Sequence, residues 1–289
     1  MAEFHDEGYR ETAVSEQIQV SGAPIIVVND LTKSYDGKIN AIMEISLSIA
    51  KGEFTVLFGP SGVGKSTLLR CLNCLVEPTS GDVIVDGQQV GDMSNKELLA
   101  LRSDVGMIFQ EFNLINRMSV LVNVMCGRLH DMSFFRALTY TFSREDHEVA
   151  IHALRRAGLH DTELYTRRAD TLSGGQKQRV SIARMLVQEP KIILADEPVA
   201  SLDVKMQHTI MQLVRDIAAR DGITVVMSLH QLELAKQYAS RIIGLSEGVV
   251  AFDGPPQSLS NDVINRIFKI VDDKGVGSQD NESADAGNE

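Results

Sequence analysis

Nine residues, GPSGVGKST (59–67), hold three glycines, one lysine and two adjacent hydroxyls. They fit the pattern G-x-x-x-x-G-K-[ST], whose chemistry is phosphate binding. Gly59, Gly62 and Gly64 let backbone N–H groups turn inward on phosphate oxygens at the positive end of a helix. Pro60, Ser61 and Val63 complete the loop, and Thr67 follows it. Lys65 adds a point charge to the β- and γ-phosphates, and Ser66 supplies a hydroxyl to Mg²⁺. The loop alone implies a nucleotide and leaves kinase, GTPase and transport ATPase open.

ILADE (193–197) has the pattern of a buried strand ending in two acids. Beside such a loop, Asp196 is expected near the Mg²⁺. Glu197 is expected beside the γ-phosphate, as base toward an attacking water. Pro198 cannot continue a ladder and helps fix both acids at the strand end. A second glycine pair stands in TLSGGQKQR (171–179). Val180, Ala183, Leu186 and Val187 follow at helical spacing, and the pattern stops before Pro190. Ser173, Gly174 and Gly175 therefore lie at a helix N-terminus, with N–H donors, a hydroxyl and a positive dipole end. One phosphate loop is enough for one nucleotide. A two-fold dimer accounts for the second, each chain's second loop covering the nucleotide on its partner's first loop.

The elements that must position these residues alternate in type. Ile25–Val28 reads as a short strand, ISLSIAKGE (45–53) as a strand entering a turn, and GDVIVDGQQV (81–90) as a strand with a D-G turn. FTVLF (54–58), KIILAD (191–196) and ITVVMSL (223–229) are continuous apolar runs, as in strands buried on both faces. VKMQHTIMQLVRDIAAR (204–220) has helical spacing, and RIIGLSEGVVAFDG (241–254) reads as a hairpin. The pattern predicts a mainly parallel α/β core with an antiparallel β edge and a helical insertion over about 111–170. A domain over 25–258 is followed by a helix at 259–270.

The formal charge of −11 is concentrated at the ends. Residues 1–24 carry a net −4 and residues 271–289 a net −5, and both read as solvated, disordered tails. The near-neutral body lacks the broad basic footprint of a duplex nucleic-acid binder. No apolar run is long enough to span a bilayer, and the N-terminal stretch lacks the features of a secretory signal. Three cysteines suit reduced thiols, and Cys71 and Cys74 read as small residues within one helix.

Taken together, these motifs resemble those of ATP-binding-cassette (ABC) ATPases over about 25–258, with LSGGQ (172–176) similar to the family signature. The resemblance implies a P-loop NTPase core that uses ATP and Mg²⁺, with Gln176 completing the signature loop. It further implies that Tyr35 stacks on adenine and that Gln110 touches Mg²⁺ and senses a transmembrane partner. Ser201-Leu202-Asp203 would cross the dimer interface, and His230 would contact the γ-phosphate. The segments 110–129 and 133–159, with ILADEPVASLD and DGITVVMSLHQ, are similar to the phosphonate-import group. That similarity implies a homodimer, peripheral on the cytoplasmic side of the cell membrane, working with two permease subunits and a solute-binding protein. Other substrates of the family (phosphate, polar amino acids, methionine, exported lipoproteins) remain alternatives, because the substrate never needs to touch this subunit. Soluble cassette proteins of DNA repair or ribosomes usually carry two cassettes or a long coiled-coil insertion, and neither is evident here.

Overall fold

The computed structural model describes residues 24–269. The expected acidic tails lie outside that range except for Pro24, which is the first residue of a strand. In chain order the first half runs β1 (Pro24–Ser34), β2 (Asn40–Ala50), β3 (Phe54–Phe58), α1 (Lys65–Leu72), β4 (Ser80–Val85), β5 (Gln88–Gln89), α2 (Asn95–Asp104), β6 (Val105–Ile108), α3 (Val120–Met125), α4 (Phe134–Leu138) and α5 (Arg144–Arg156). The second half runs α6 (Gly174–Leu186), β7 (Ile192–Asp196), α7 (Val204–Asp221), β8 (Thr224–Leu229), α8 (Leu232–Tyr238), β9 (Arg241–Ser246), β10 (Val249–Gly254) and α9 (Asn261–Phe268).

Two sheets organise the chain. The larger has the order β10-β9-β3-β8-β7-β6, parallel throughout except for β10, which closes the hairpin with β9. Every residue of β3, β7 and β8 is buried, which is why those strands read as unbroken apolar runs. Successive side chains feed opposite cores. Val56 and Phe58 pack with α6 and α7, whereas Leu57 packs with α1 and the second sheet. The second sheet is antiparallel, in the order β2-β1-β4-β5, as expected of the β edge. Its D-G turn is made by Asp86 (φ +50°) and Gly87 (φ +78°). Burying an aliphatic side chain as fully as Leu57 contributes roughly 1.5–3 kcal/mol.

The region expected to be helical contains α3, α4, α5 and short 3₁₀ segments, and α6 packs directly on α3 and α5. Two expectations need correction. Helix α1 stops at Leu72, so Cys74 lies beyond it with φ +54°, and only Cys71 is a helix residue. Burial among apolar side chains pushes the Cys71 thiol up to about 11. The C-terminal helix is shorter than 259–270, because Ser260 caps it at one end and Lys269 takes a left-handed turn at the other. Directly after α2, VGMI (105–108), for which the sequence reading assigned no element, forms β6 and pairs in parallel with β7.

Candidate active site

The loop after β3 turns into α1 at Gly64, whose φ of +107° suits glycine. A Cβ there would run into the Ala41 carbonyl and sit 2.6 Å from Ile42 Cγ2. The β2 backbone thus packs against the loop so closely that only glycine fits. Val63 turns its side chain into the core, leaving its backbone to the loop. Lys65 is buried, and its Nζ donates to Gly59 O and Pro60 O, both at 2.9 Å. Burial pulls the Lys65 ammonium below its ordinary pKa, while Glu197 and Asp196 oppose that shift. Glu197 Oε1 lies 3.7 Å from the ammonium.

Strand β7 delivers Asp196 and Glu197 beside this loop. Ser66 Oγ donates to Asp196 Oδ1 at 2.6 Å, across 130 residues of sequence. Arg70 Nη2 lies 3.5 Å from the other oxygen, Asp196 Oδ2. Immediately past the strand, Glu197 adopts φ +45°, which an L-residue with a long side chain seldom takes. Its second carboxylate oxygen is 3.6 Å from His230 Nδ1, at the end of β8. Ser61, Gly62, Gly64, Lys65, Ser66, Thr67, Gln110, Glu197 and Ala41 line one cavity of about 310 Å³. Tyr35 stands at its edge, 63% exposed, with its hydroxyl 3.3 Å from Thr67 Oγ1 and Lys33 Nζ over its ring.

The structure therefore gathers one set of expected site residues around the first loop and leaves another set elsewhere. Ser173, Gly174, Gly175, Gln176 and Asp203 do not line that cavity. Ser173 caps α6 in a reciprocal box, in which Gln176 N donates to Ser173 Oγ at 3.3 Å and Ser173 N donates to Gln176 Oε1 at 3.0 Å. This cap occupies two of the N–H groups at the helix start, while the Ser173 O–H is still free to donate. Gly175 lies under Met206, where a Cβ would come within 2.8 Å of the sulfur. A Cβ on Gly174 would sit 3.3 Å from Leu202 Cδ2, so the loop rests on the start of α7. Asp203 caps that helix through Met206 N at 3.0 Å.

Near the far end of α6, the Arg184 guanidinium donates to Asn113 O at 2.6 Å and to Phe112 O at 2.9 Å. Both acceptor residues have positive φ, +48° and +43°, in the loop that follows Gln110. Burial lowers the Arg184 pKa.

Two side chains at the site escaped the sequence reading, Arg70 and Ser228. Ser228 Oγ donates to Asp196 Oδ1 at 2.9 Å and accepts from Glu197 N at 2.8 Å. The available signal was a hydroxyl inside the otherwise apolar end of β8, two residues before His230. A buried hydroxyl in such a place needs partners.

Comparison with known proteins agrees with this geometry. The family model described as ABC transporter matches residues 42–200. The phosphonates import ATP-binding protein PhnC of Thiobacillus denitrificans is 49% identical over 254 residues, covering 87% of this chain and 96% of that protein. PhnC 2 of Oceanobacillus iheyensis is 46% identical over 244 residues, covering 84% and 95%. Among solved structures, a dimeric ATP-binding cassette in a post-hydrolysis state with ADP and Pi aligns with a TM-score of 0.69 and 36% identity, over 80% of this chain and 98% of that one. The cbiO1 subunit from Clostridium perfringens, part of an ABC transporter complex, aligns with a TM-score of 0.71 and 31% identity, over 84% and 93%. A phosphate loop against β2, two acids at the end of β7 and a serine-capped α6 opening on two glycines stand where the ABC motifs require, and with this likeness along most of its length the chain belongs to the ABC transporter family of ATP-hydrolysing cassettes.

Proposed function

We propose that this chain is the ATPase subunit of a phosphonate importer, acting as a homodimer at the cytoplasmic face of a membrane beside two permease subunits and a solute-binding protein. The observation that carries the substrate class is the near-full-length identity, 46–49%, to relatives named for phosphonate import. No helix among the described residues is long and apolar enough to cross a membrane, so this reading assigns the crossing to the permease chains.

In this reading the glycine loop and Lys65 hold the β- and γ-phosphates and Tyr35 stacks on adenine. Among the described residues no cluster of three His, Cys, Asp or Glu is placed to hold a metal ion. The hydroxyl of Ser66, the carboxylate of Asp196 and the amide of Gln110 are hard oxygen donors near the same loop, and they suit Mg²⁺ completed by phosphate and water oxygens. Bound there, Mg²⁺ would neutralise charge that develops on the phosphates. Glu197 takes the proton of the attacking water as ADP leaves. His230, 3.6 Å from its carboxylate, holds that group toward the γ-phosphate. Ser173, Gly174, Gly175, Gln176 and Asp203 act on the partner's nucleotide.

The test is reconstitution in proteoliposomes with the permease and binding protein with which the chain works. ATP hydrolysis and uptake should rise with an alkylphosphonate-loaded binding protein. Stimulation by phosphate or an amino acid, with none by phosphonates, would overturn the substrate assignment. In the same system Gln110→Ala is expected to cut permease-stimulated hydrolysis by about tenfold and basal hydrolysis much less, since Gln110 joins the nucleotide cavity to the helical region. Equal losses with and without permease would contradict that role.

A further inference from the structure

Glu197 and Asp196 are adjacent in sequence but are asked to do different things, and one buried hydroxyl touches both. Ser228 is fully buried. Its oxygen accepts from the Glu197 N–H at 2.8 Å, and its own proton goes to Asp196 Oδ1 at 2.9 Å. We propose that Ser228 is a positioning residue for ATP hydrolysis, fixing the backbone of Glu197 and the orientation of the Asp196 carboxylate together. The proposal deepens the site reading above and rests on Glu197 acting as base.

The argument starts from the backbone. A glutamate at φ +45° persists only where its surroundings hold it. Two bonds hold this peptide in place: Ala200 N donates to Glu197 O at 3.2 Å, and Glu197 N donates to Ser228. Removing the Ser228 hydroxyl leaves a part-buried N–H without its acceptor, so the local chain must shift or remain unpaired. Either outcome moves the carboxylate that sits between Lys65 and His230.

The second half concerns Asp196. Its Oδ1 receives two hydroxyl protons, from Ser66 at 2.6 Å and from Ser228 at 2.9 Å. Two convergent donors pin the carboxylate more firmly than one. When Ser66 turns its oxygen toward a cation, Ser228 is the donor that keeps Oδ1 oriented. Strand pairing reinforces this arrangement, since Asp196 and Ser228 are direct partners in the β7–β8 ladder. Ser228 does not line the phosphate cavity, so its loss should slow the chemical step while leaving ATP binding in place.

The experiment compares Ser228→Thr, which keeps the hydroxyl and adds a methyl group, with Ser228→Val, which has the same branched shape as Thr and no hydroxyl. Ser228→Ala is measured in parallel, so the comparison does not depend on one variant folding. Val and Ala are expected to lower kcat by about 10–100-fold with the ATP KM within about twofold, and Thr to stay within about threefold of the parent. In nucleotide-free protein, amide exchange at Glu197 should quicken in Val and Ala and stay slow in Thr. A merely structural role would not restore both readouts on return of the hydroxyl. Equal losses in Val and Thr, or Val and Ala within twofold of the parent while Glu197→Gln is inactive, would overturn the proposal. A Glu197→Gln protein that turns over at the parent rate would instead overturn the assignment of the base itself.

Discussion

Glu197→Gln is expected to bind ATP as the parent does and to lose turnover by about 10²–10⁴-fold, the range a removed general base commonly costs. The amide nearly preserves the shape of the carboxylate, so the backbone at φ +45° and the neighbourhood of Lys65 and His230 should survive. It cannot accept the water's proton. ATP should therefore remain on the protein and hold two chains together, visible as a shift to dimer by size exclusion only when ATP is added. Hydrolysis at the parent rate would exclude Glu197 as the base.

The second large effect tests whether two chains share each site. Lys65→Ala damages the first loop of its chain and leaves Ser173 intact. Ser173→Arg blocks the second loop of its chain and leaves Lys65 intact. Ser173 is exposed, so the arginine is accommodated at a cost of about 1 kcal/mol for the lost cap. Each variant paired with itself has one damaged half in every site and should retain no ATP. In a mixed dimer the first loop of the Ser173→Arg chain meets the second loop of the Lys65→Ala chain. One site is then whole and the other is damaged twice. With Glu197→Gln in both chains to slow release, the purified heterodimer should retain up to one ATP. A heterodimer that forms and retains no more than either parent variant would show that Ser173 does not complete its neighbour's site.

Much of this site was legible because its geometry admits few residue types. Gly64 must be glycine where β2 presses on the loop, and such constraints leave a recognisable spelling. β3, β7 and β8 were legible for a related reason, since burial on both faces removes polar residues from the run. VGMI was not legible as a strand. It has four residues and no alternation, and its Gly106 answers a need set elsewhere: a Cβ there would meet Met185 and Pro190. Helix α2 carries a local cue in the Ser94–Glu97 capping box. Ser228 was hidden for a different reason. A serine in a strand is unremarked until its neighbour across the ladder is known, and the ladder places Asp196 there. The grouping of Ser173 with Leu202 and Met206, away from the first loop, is likewise a fact of three-dimensional packing.

The grip of Arg184 on Phe112 and Asn113 gives α6 a mechanical character. The helix has thirteen residues, so it is a strut about 20 Å long with Ser173 at one end and this clamp close to the other. Two hydrogen bonds from a planar guanidinium fix direction as well as distance, so the joint has little play. A tilt of about 10° imposed at the clamped end would carry the glycine end through roughly 3–4 Å, about the length of one hydrogen bond. A lever of that ratio can connect or disconnect the Ser173 hydroxyl from an oxygen it faces without any change inside the helix. Loosening the clamp would leave both ends well folded and out of step with each other.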